Sequence, residues 1–256
     1  MYQPPRTPWW LLPNLLALDA PLVATVWQRF LADSFDVTVP WAATIALAAT
    51  VWCVYLADRW LDARQGNYNT DRHRVAANWP RTFVIGILLA ACIAALAATR
   101  LSFGYMECGL AIGLGVAAYL ALVHCFTGGL GLVPGTKEFL VALCFAAGVA
   151  IPLYTDGPSA TEWLPDVVAF GVICWLNCRL IDRWESEDTT VSWRDGLLGS
   201  VLLAGSIILP ISVGLAIAAA TVGLLAIHIS CRHYPRVARV LADVVLLTPL
   251  VFWSAA

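Results

Sequence analysis

Val51-Trp-Cys-Val-Tyr-Leu-Ala-Asp-Arg-Trp-Leu-Asp-Ala-Arg64 closes a long apolar run with two aspartates four residues apart. On a helix a four-residue step turns the side chain by only about 40°, so Asp58 and Asp62 project from one face, a turn apart. They do so where hydrocarbon gives way to water. Like charges at this spacing repel, and a helix that carries them is expected to answer with nearby arginines or a divalent cation.

The rest of the chain explains the apolar run. Of 256 residues, 60% are hydrophobic and only 12% charged, with a mean hydropathy of +0.76; soluble domains carry about 25% charged residues. A polytopic, all-α bundle embedded in a lipid bilayer follows. Nine runs approach the roughly 18 residues needed to span it: about 14–33, 39–64, 80–99, 103–124, 136–153, 162–187, 194–210, 212–231 and 235–254. The first is expected to be retained, because no small-residue cleavage site follows it. Only Pro210 divides the seventh from the eighth, so a kinked or re-entrant pair is an alternative there. No linker or low-complexity tract interrupts the chain, which reads as one domain over 1–256.

Charge distribution orients these spans. With the N-terminus cytoplasmic, one side receives Arg6, Arg59, Arg64, Arg72, Arg74, Arg81, Lys137, Arg179, Arg183, Arg194, Arg232, Arg236 and Arg239, and only Arg29 and Arg100 fall opposite. That is the positive-inside pattern, with N-in and C-out. It places the chain in an inner (plasma) membrane with its functional loops on the cytoplasmic side. The net charge of −2 points to no nucleic-acid partner.

A second polar helix end matches the first. Asn177-Cys-Arg-Leu-Ile-Asp182-Arg-Trp-Glu185-Ser-Glu-Asp188 again mixes carboxylates with Arg and Trp, and the topology puts it on the same side as Asp58 and Asp62. Facing carboxylate clusters with Arg beside them suit Mg²⁺ ions holding a diphosphate, because carboxylate oxygens bind the hard cation and guanidinium binds phosphate oxygens. The single lysine, Lys137, follows a Gly-rich turn at the start of the fifth span, a favourable place for an anion. Arg59, Arg64 and Arg183 flank the two ends. Tyr55, Trp52, Trp60, Trp175 and Trp184 offer aromatic faces able to stabilise a carbocation, whereas Trp9, Trp10, Trp79, Trp163, Trp193 and Trp253 read as an interfacial belt.

Other polar residues are more isolated. Asn14, Asp19 and Asp243 lie inside spans, where carboxylates are expected to pair or to line a wet chamber. Eight cysteines, scattered at 53, 92, 108, 125, 144, 174, 178 and 231, read as small buried residues.

This set resembles the UbiA superfamily of intramembrane prenyltransferases. The likeness lies in the nine-span layout, in Asp58 and Asp62, in Lys137, and in the segment from Asn177 to Asp188. The family's first motif, Asn-Asp-x-x-Asp-x-x-x-Asp, meets Val54 and Tyr55 at its first two positions and keeps Asp58 and Asp62. Its second, an Asp-x-x-x-Asp step, meets Asp182 and then Ser186, so Glu185, Glu187 or Asp188 would substitute.

The resemblance implies Mg²⁺-dependent ionisation of an isoprenyl diphosphate. Asp58, Asp62, Asp182, Glu185 and Asp188 would hold metal, Lys137 would act on the departing diphosphate, and Asn177, Arg59, Arg64, Arg183, Tyr55, Trp60 and Trp184 would bind substrate. The prenyl group would pass to a lipophilic, aromatic acceptor, with cyclisation by a membrane terpene cyclase as the alternative. From a different class, a transporter or non-enzymatic scaffold would show internal repeats or broken helices.

Overall fold

The computed structural model of the protein describes residues 8–66, 70–125, 135–186 and 192–253. They are helical throughout, with no strand among them. In chain order the helices are α1 (Leu12–Leu15), α2 (Asp19–Asp33), α3 (Trp41–Arg64), α4 (Asp71–Asn78), α5 (Pro80–Ala98), α6 (Phe103–Cys125), α7 (Thr136–Asp156), α8 (Ala160–Glu185), α9 (Trp193–Gly205), α10 (Ile211–Cys231), α11 (Pro235–Val245) and α12 (Pro249–Phe252).

Six of these, α3, α5, α6, α7, α8 and α10, are long and apolar enough to cross a bilayer. At 1.5 Å per residue the 24 residues of α3 reach about 36 Å, more than the roughly 30 Å hydrocarbon core. The protein is therefore a multi-pass helical membrane protein. α8 and α10 supply much of the buried interior, while α6 buries nothing of its apolar window, as expected of a helix facing lipid.

Three of the nine expected spans take another form. The first is broken: the segment Trp9–Leu15 meets α2 at 70°, and together they count as at most one crossing. The residues between accommodate the corner, with Ala17 at φ 55°. The seventh, α9, has 13 residues and runs into a short 3-10 turn before Pro210. The ninth is divided between α11 and α12. At that division the buried Trp27 indole donates to Leu246 O (2.8 Å), and Thr248 Oγ1 donates to Ala216 O (2.9 Å). A freed carbonyl in an apolar interior is costly, so the Trp27 indole makes the interruption at Leu246 tolerable, while Thr248 ties the break to α10.

Ion pairs fix the relative ends of the helices. The C-terminal ends of α3 and α8 and the N-terminal ends of α4, α9 and α11 are joined at one end of the bundle, through His73 to Asp62, Arg72 to Glu185, Arg183 to Asp195 and Arg239 to Glu185. At the other end Tyr105 donates to Asp156 (2.7 Å), the Trp253 indole donates to Asp33 (3.0 Å), and Arg29 stacks over Trp41 (3.7 Å). The polar residues are thus segregated along the chain's antiparallel course.

The loop expected between the second and third spans contains a helix of its own. Thr70 caps α4 by accepting from His73 N (3.5 Å), and Asp71 occupies its first turn, where an acidic group favours the helix dipole. Ala76 and Phe83 bury it against Leu56 and Ala63 of α3. α4 consequently reaches both acidic helix ends.

Packing is tight where α10 begins. A Cβ added to Gly214 would lie 2.3 Å from Ser206 O, a backbone atom with little room to yield. Gly214→Ala is expected to lower stability by about 1–3 kcal/mol, read as a reduced thermal unfolding midpoint in detergent. An unchanged midpoint would mean that the turn before Pro210 adjusts freely.

Candidate active site

Asp58 and Asp62 occupy successive turns at the end of α3. Asp62 pairs with His73 Nε2 (3.3 Å), and His73 Nδ1 lies 3.1 Å from Thr70 Oγ1. Tyr55, one turn before Asp58, lines an apolar cavity below. Arg59 points elsewhere: only 4% exposed, it donates through one guanidinium nitrogen to Asn14 O and Leu15 O, both at 2.7 Å. It serves the elbow of the first span, as does Trp52, whose indole donates to Leu16 O (2.9 Å). Trp60 lies under Arg64 (4.8 Å) and against the small α3–α4–α5 core, away from the cavity lining.

The end of α8 is more heavily paired. Arg179 and Arg183 both hold Asp195, which is 1% exposed: Arg179 donates to Oδ1 at 2.9–3.0 Å and Arg183 Nε lies 2.9 Å from Oδ2. Two guanidiniums on one carboxylate offset its desolvation and anchor α9 to α8. Trp184, expected to face substrate, is buried and donates to His228 Nδ1 (3.1 Å). Glu185 is gripped by Arg72 of α4 and Arg239 of α11. Asp188 lies outside the described residues.

What remains near the site is a smaller group. Asp182 has Glu138, Glu185, Lys137 and Arg179 as its electrostatic neighbours, and Tyr119 of α6 lies within the fields of Asp58, Glu138 and Asp62. Lys137 is exposed in the first turn of α7. It follows Gly135, whose φ of 94° lies in the left-handed region where a side chain would be strained. Three buried polar atoms around this group have no hydrogen-bond partner among the described residues: Glu138 Oε2, the Tyr119 hydroxyl and Asn177 Oδ1. Glu138 and Tyr119 were not read from the sequence. Glu138 adjoins the lysine that was, and Tyr119 stands among apolar residues in the C-terminal half of α6.

The described residues offer Mg²⁺ a partial fit. No three His, Cys, Asp or Glu side chains among them gather as a ready cage, and Glu185 is already neutralised by two arginines. Mg²⁺, however, commonly takes one or two carboxylates and completes its shell with water and substrate phosphate. Asp58 with Asp62, and Asp182 with the orphaned Glu138 oxygen, meet that lesser demand.

Two apolar cavities flank α7. One, of about 540 Å³, runs between α3, α5, α6 and α7 from Tyr55 and Tyr119 at the acidic end to Gln28 and Tyr105 at the other. From Ala43 to Tyr55 its α3 wall rises about 18 Å. The other, of about 580 Å³, lies between α6, α7 and α8, with Phe139 and Trp175 toward the acidic end and Tyr154 and Trp163 toward the opposite one. Both have the volume of ordinary small-molecule sites. Comparisons with known family models, with curated proteins and with solved structures find no match to the chain.

Proposed function

We propose that the protein is an intramembrane prenyltransferase of the UbiA type, which ionises an isoprenyl diphosphate and passes the prenyl group to a lipophilic, aromatic acceptor. One observation carries this reading: an apolar cavity of about 540 Å³ ends at Tyr55 and Tyr119, beneath Asp58 and beside the second acidic helix end. A ligand matching both parts has a long hydrocarbon tail and a multiply charged, cation-binding head. The orientation that goes with it is nine membrane passages, N-in and C-out, with the acidic end cytoplasmic.

In this account the prenyl tail lies along α3, α6 and α7, where the apolar walls exclude water from the allylic carbon. Mg²⁺ held at Asp58, Asp62 and Asp182 would offset the charge of the diphosphate. Lys137 sits where its ammonium meets phosphate oxygen as the C–O bond at the allylic carbon breaks and the electron pair leaves with diphosphate. Tyr55 and Tyr119 present ring faces to the resulting cation. An acceptor carbon then bonds to that cation and releases a proton. The second cavity gives a lipophilic acceptor a place beside the first, which supports transfer over cyclisation by the chain's own double bonds.

The test is to titrate Mg²⁺ into the purified protein with a series of prenyl diphosphates, to measure diphosphate release, and to analyse the organic products with and without an aromatic acceptor. A prenylated acceptor is the expected product; cyclic hydrocarbon or alcohol in its absence identifies a cyclase. Lys137→Ala is expected to raise the apparent KM for the diphosphate about tenfold, the loss of one charge-assisted contact, with little change in Mg²⁺ dependence. An unchanged KM removes Lys137 from the phosphate site.

The break of 70° in the first span favours a second reading, since transporters bind their cargo at discontinuous helices. Uptake by reconstituted vesicles without any diphosphate release would establish it.

A further inference from the structure

The elbow of the first span assembles a second polar cluster, separate from the carboxylates assigned to diphosphate. Asn14 Nδ2 donates to Asp19 Oδ2 (2.6 Å) and to Asp243 Oδ2 (3.0 Å), joining residues 229 positions apart. Ala20 N donates to Asp19 Oδ1 (2.9 Å). The two carboxyl groups thus meet on one amide nitrogen. Asn14 is 5% exposed, and its own Oδ1, on the amide that touches both acids, has no partner among the described residues.

The oxygens therefore outnumber the hydrogens. Five acceptor oxygens, two from each acid and one from Asn14, share three N–H groups, two from the Asn14 amide and one from Ala20. An ionised carboxylate only accepts, so two acids gathered on one amide can satisfy each other only when one of them carries a hydrogen. Two half-buried carboxylates held on one amide nitrogen, moreover, repel each other when both are ionised.

We propose that Asn14, Asp19 and Asp243 form a proton-binding site, in which one proton held by the pair of acids latches the elbow of the first span to α11. The surrounding charges set its field. From α3 come Tyr55 and Arg59, from α4 Arg72, and from α8 Cys178. Neither arginine closes the pair directly: Arg59 donates to the elbow carbonyls and Arg72 to Glu185. When the proton leaves, two negative charges face each other across the α2–α11 contact. The elbow then loosens beside Tyr55, which lines the 540 Å³ cavity.

The sign follows from linkage. The latched state binds one more proton than the state in which the two acids are apart and ionised, so its stability is full at lower pH and declines as pH rises through the ionisation of the pair. One proton corresponds to about a tenfold change in the equilibrium per pH unit.

The experiment uses full-length protein in nanodiscs, and reads thermal unfolding against pH together with the infrared band of a protonated carboxyl. Wild type is expected to show that band at neutral pH, and to lose unfolding temperature on the alkaline side. Asp243→Asn and Asp19→Asn, each of which supplies a permanent amide donor, should remove the band and flatten the alkaline decline. Identical pH profiles in wild type and both variants would overturn the proposal, as would a wild-type spectrum without the band. Restoration of alkaline stability by sodium chloride but not choline chloride, with the band absent, would assign the site to a metal cation instead. If neither variant folds, the wild-type band decides. None of these readouts uses diphosphate release, so their failure is distinct from failure of the enzymatic reading.

Discussion

Asp58→Ala and Asp62→Ala are each expected to reduce diphosphate release by a factor of a hundred or more, the order lost when one preorganised electrostatic partner of a departing anion is removed. The two variants should differ in stability. Asp58 adjoins the cavity mouth through Tyr119, whereas Asp62 also holds His73 and with it α4. Asp62→Ala is therefore expected to lower the thermal unfolding midpoint as well as activity, and Asp62→Asn to restore the midpoint without the turnover. Full activity in both alanine variants would remove the first acidic helix end from the chemistry and leave it an ordinary solvated terminus.

Arg59→Ala is expected to be the most destabilising substitution in the chain. Its guanidinium nitrogen satisfies Asn14 O and Leu15 O at 2.7 Å in a buried setting. Truncation would remove the charged donor from both carbonyls of the broken helix, leaving Asn14 O only the Ala17 N–H at 3.2 Å. Each such loss from a charged donor costs about 1.5–3 kcal/mol, so a loss of about 3 kcal/mol or more is expected. Arg59→Lys should recover only part of it, because a flexible ammonium reproduces the fixed guanidinium geometry poorly. Thermal unfolding in detergent measures the effect. A variant that melts like wild type but binds prenyl diphosphate weakly would return Arg59 to the substrate-facing role its place next to Asp58 had implied.

The contrast between Asp58 and Arg59 marks the limit of what could be read from the chain. The four-residue spacing of Asp58 and Asp62 is a local property of a helix, and so are the apolar runs that became α3, α5, α6, α7, α8 and α10. The fate of an arginine is not local. Whether it faces substrate or a broken backbone depends on the elbow at Asn14 and Leu15, 45 and 44 residues away.

The elbow itself had no clear signal, since the run from Leu15 to Leu31 is apolar apart from Asp19, Thr25, Gln28 and Arg29, and Ala17 gives no hint of its positive φ. Glu185 is a similar case. As one of several acids at a helix end it read as a metal ligand, yet Arg72 and Arg239, 113 and 54 residues distant, neutralise it. α4 was missed for a different reason. It is short and polar, and its Thr70 cap stood in a stretch otherwise read as connection.

The arrangement that matters most is a charged head site at the acidic end of the bundle with the 540 Å³ apolar cavity beneath it. It is tested most directly by photolabelling with a prenyl diphosphate analogue that carries a photoreactive group at the far end of its tail, followed by mapping of the labelled peptides. The account predicts label on the α3, α6 and α7 walls of the 540 Å³ cavity, around Leu47, Gly113 and Cys144, with protection by unlabelled prenyl diphosphate. Label confined to the exposed faces of α6 and α9, insensitive to competing diphosphate, would contradict it.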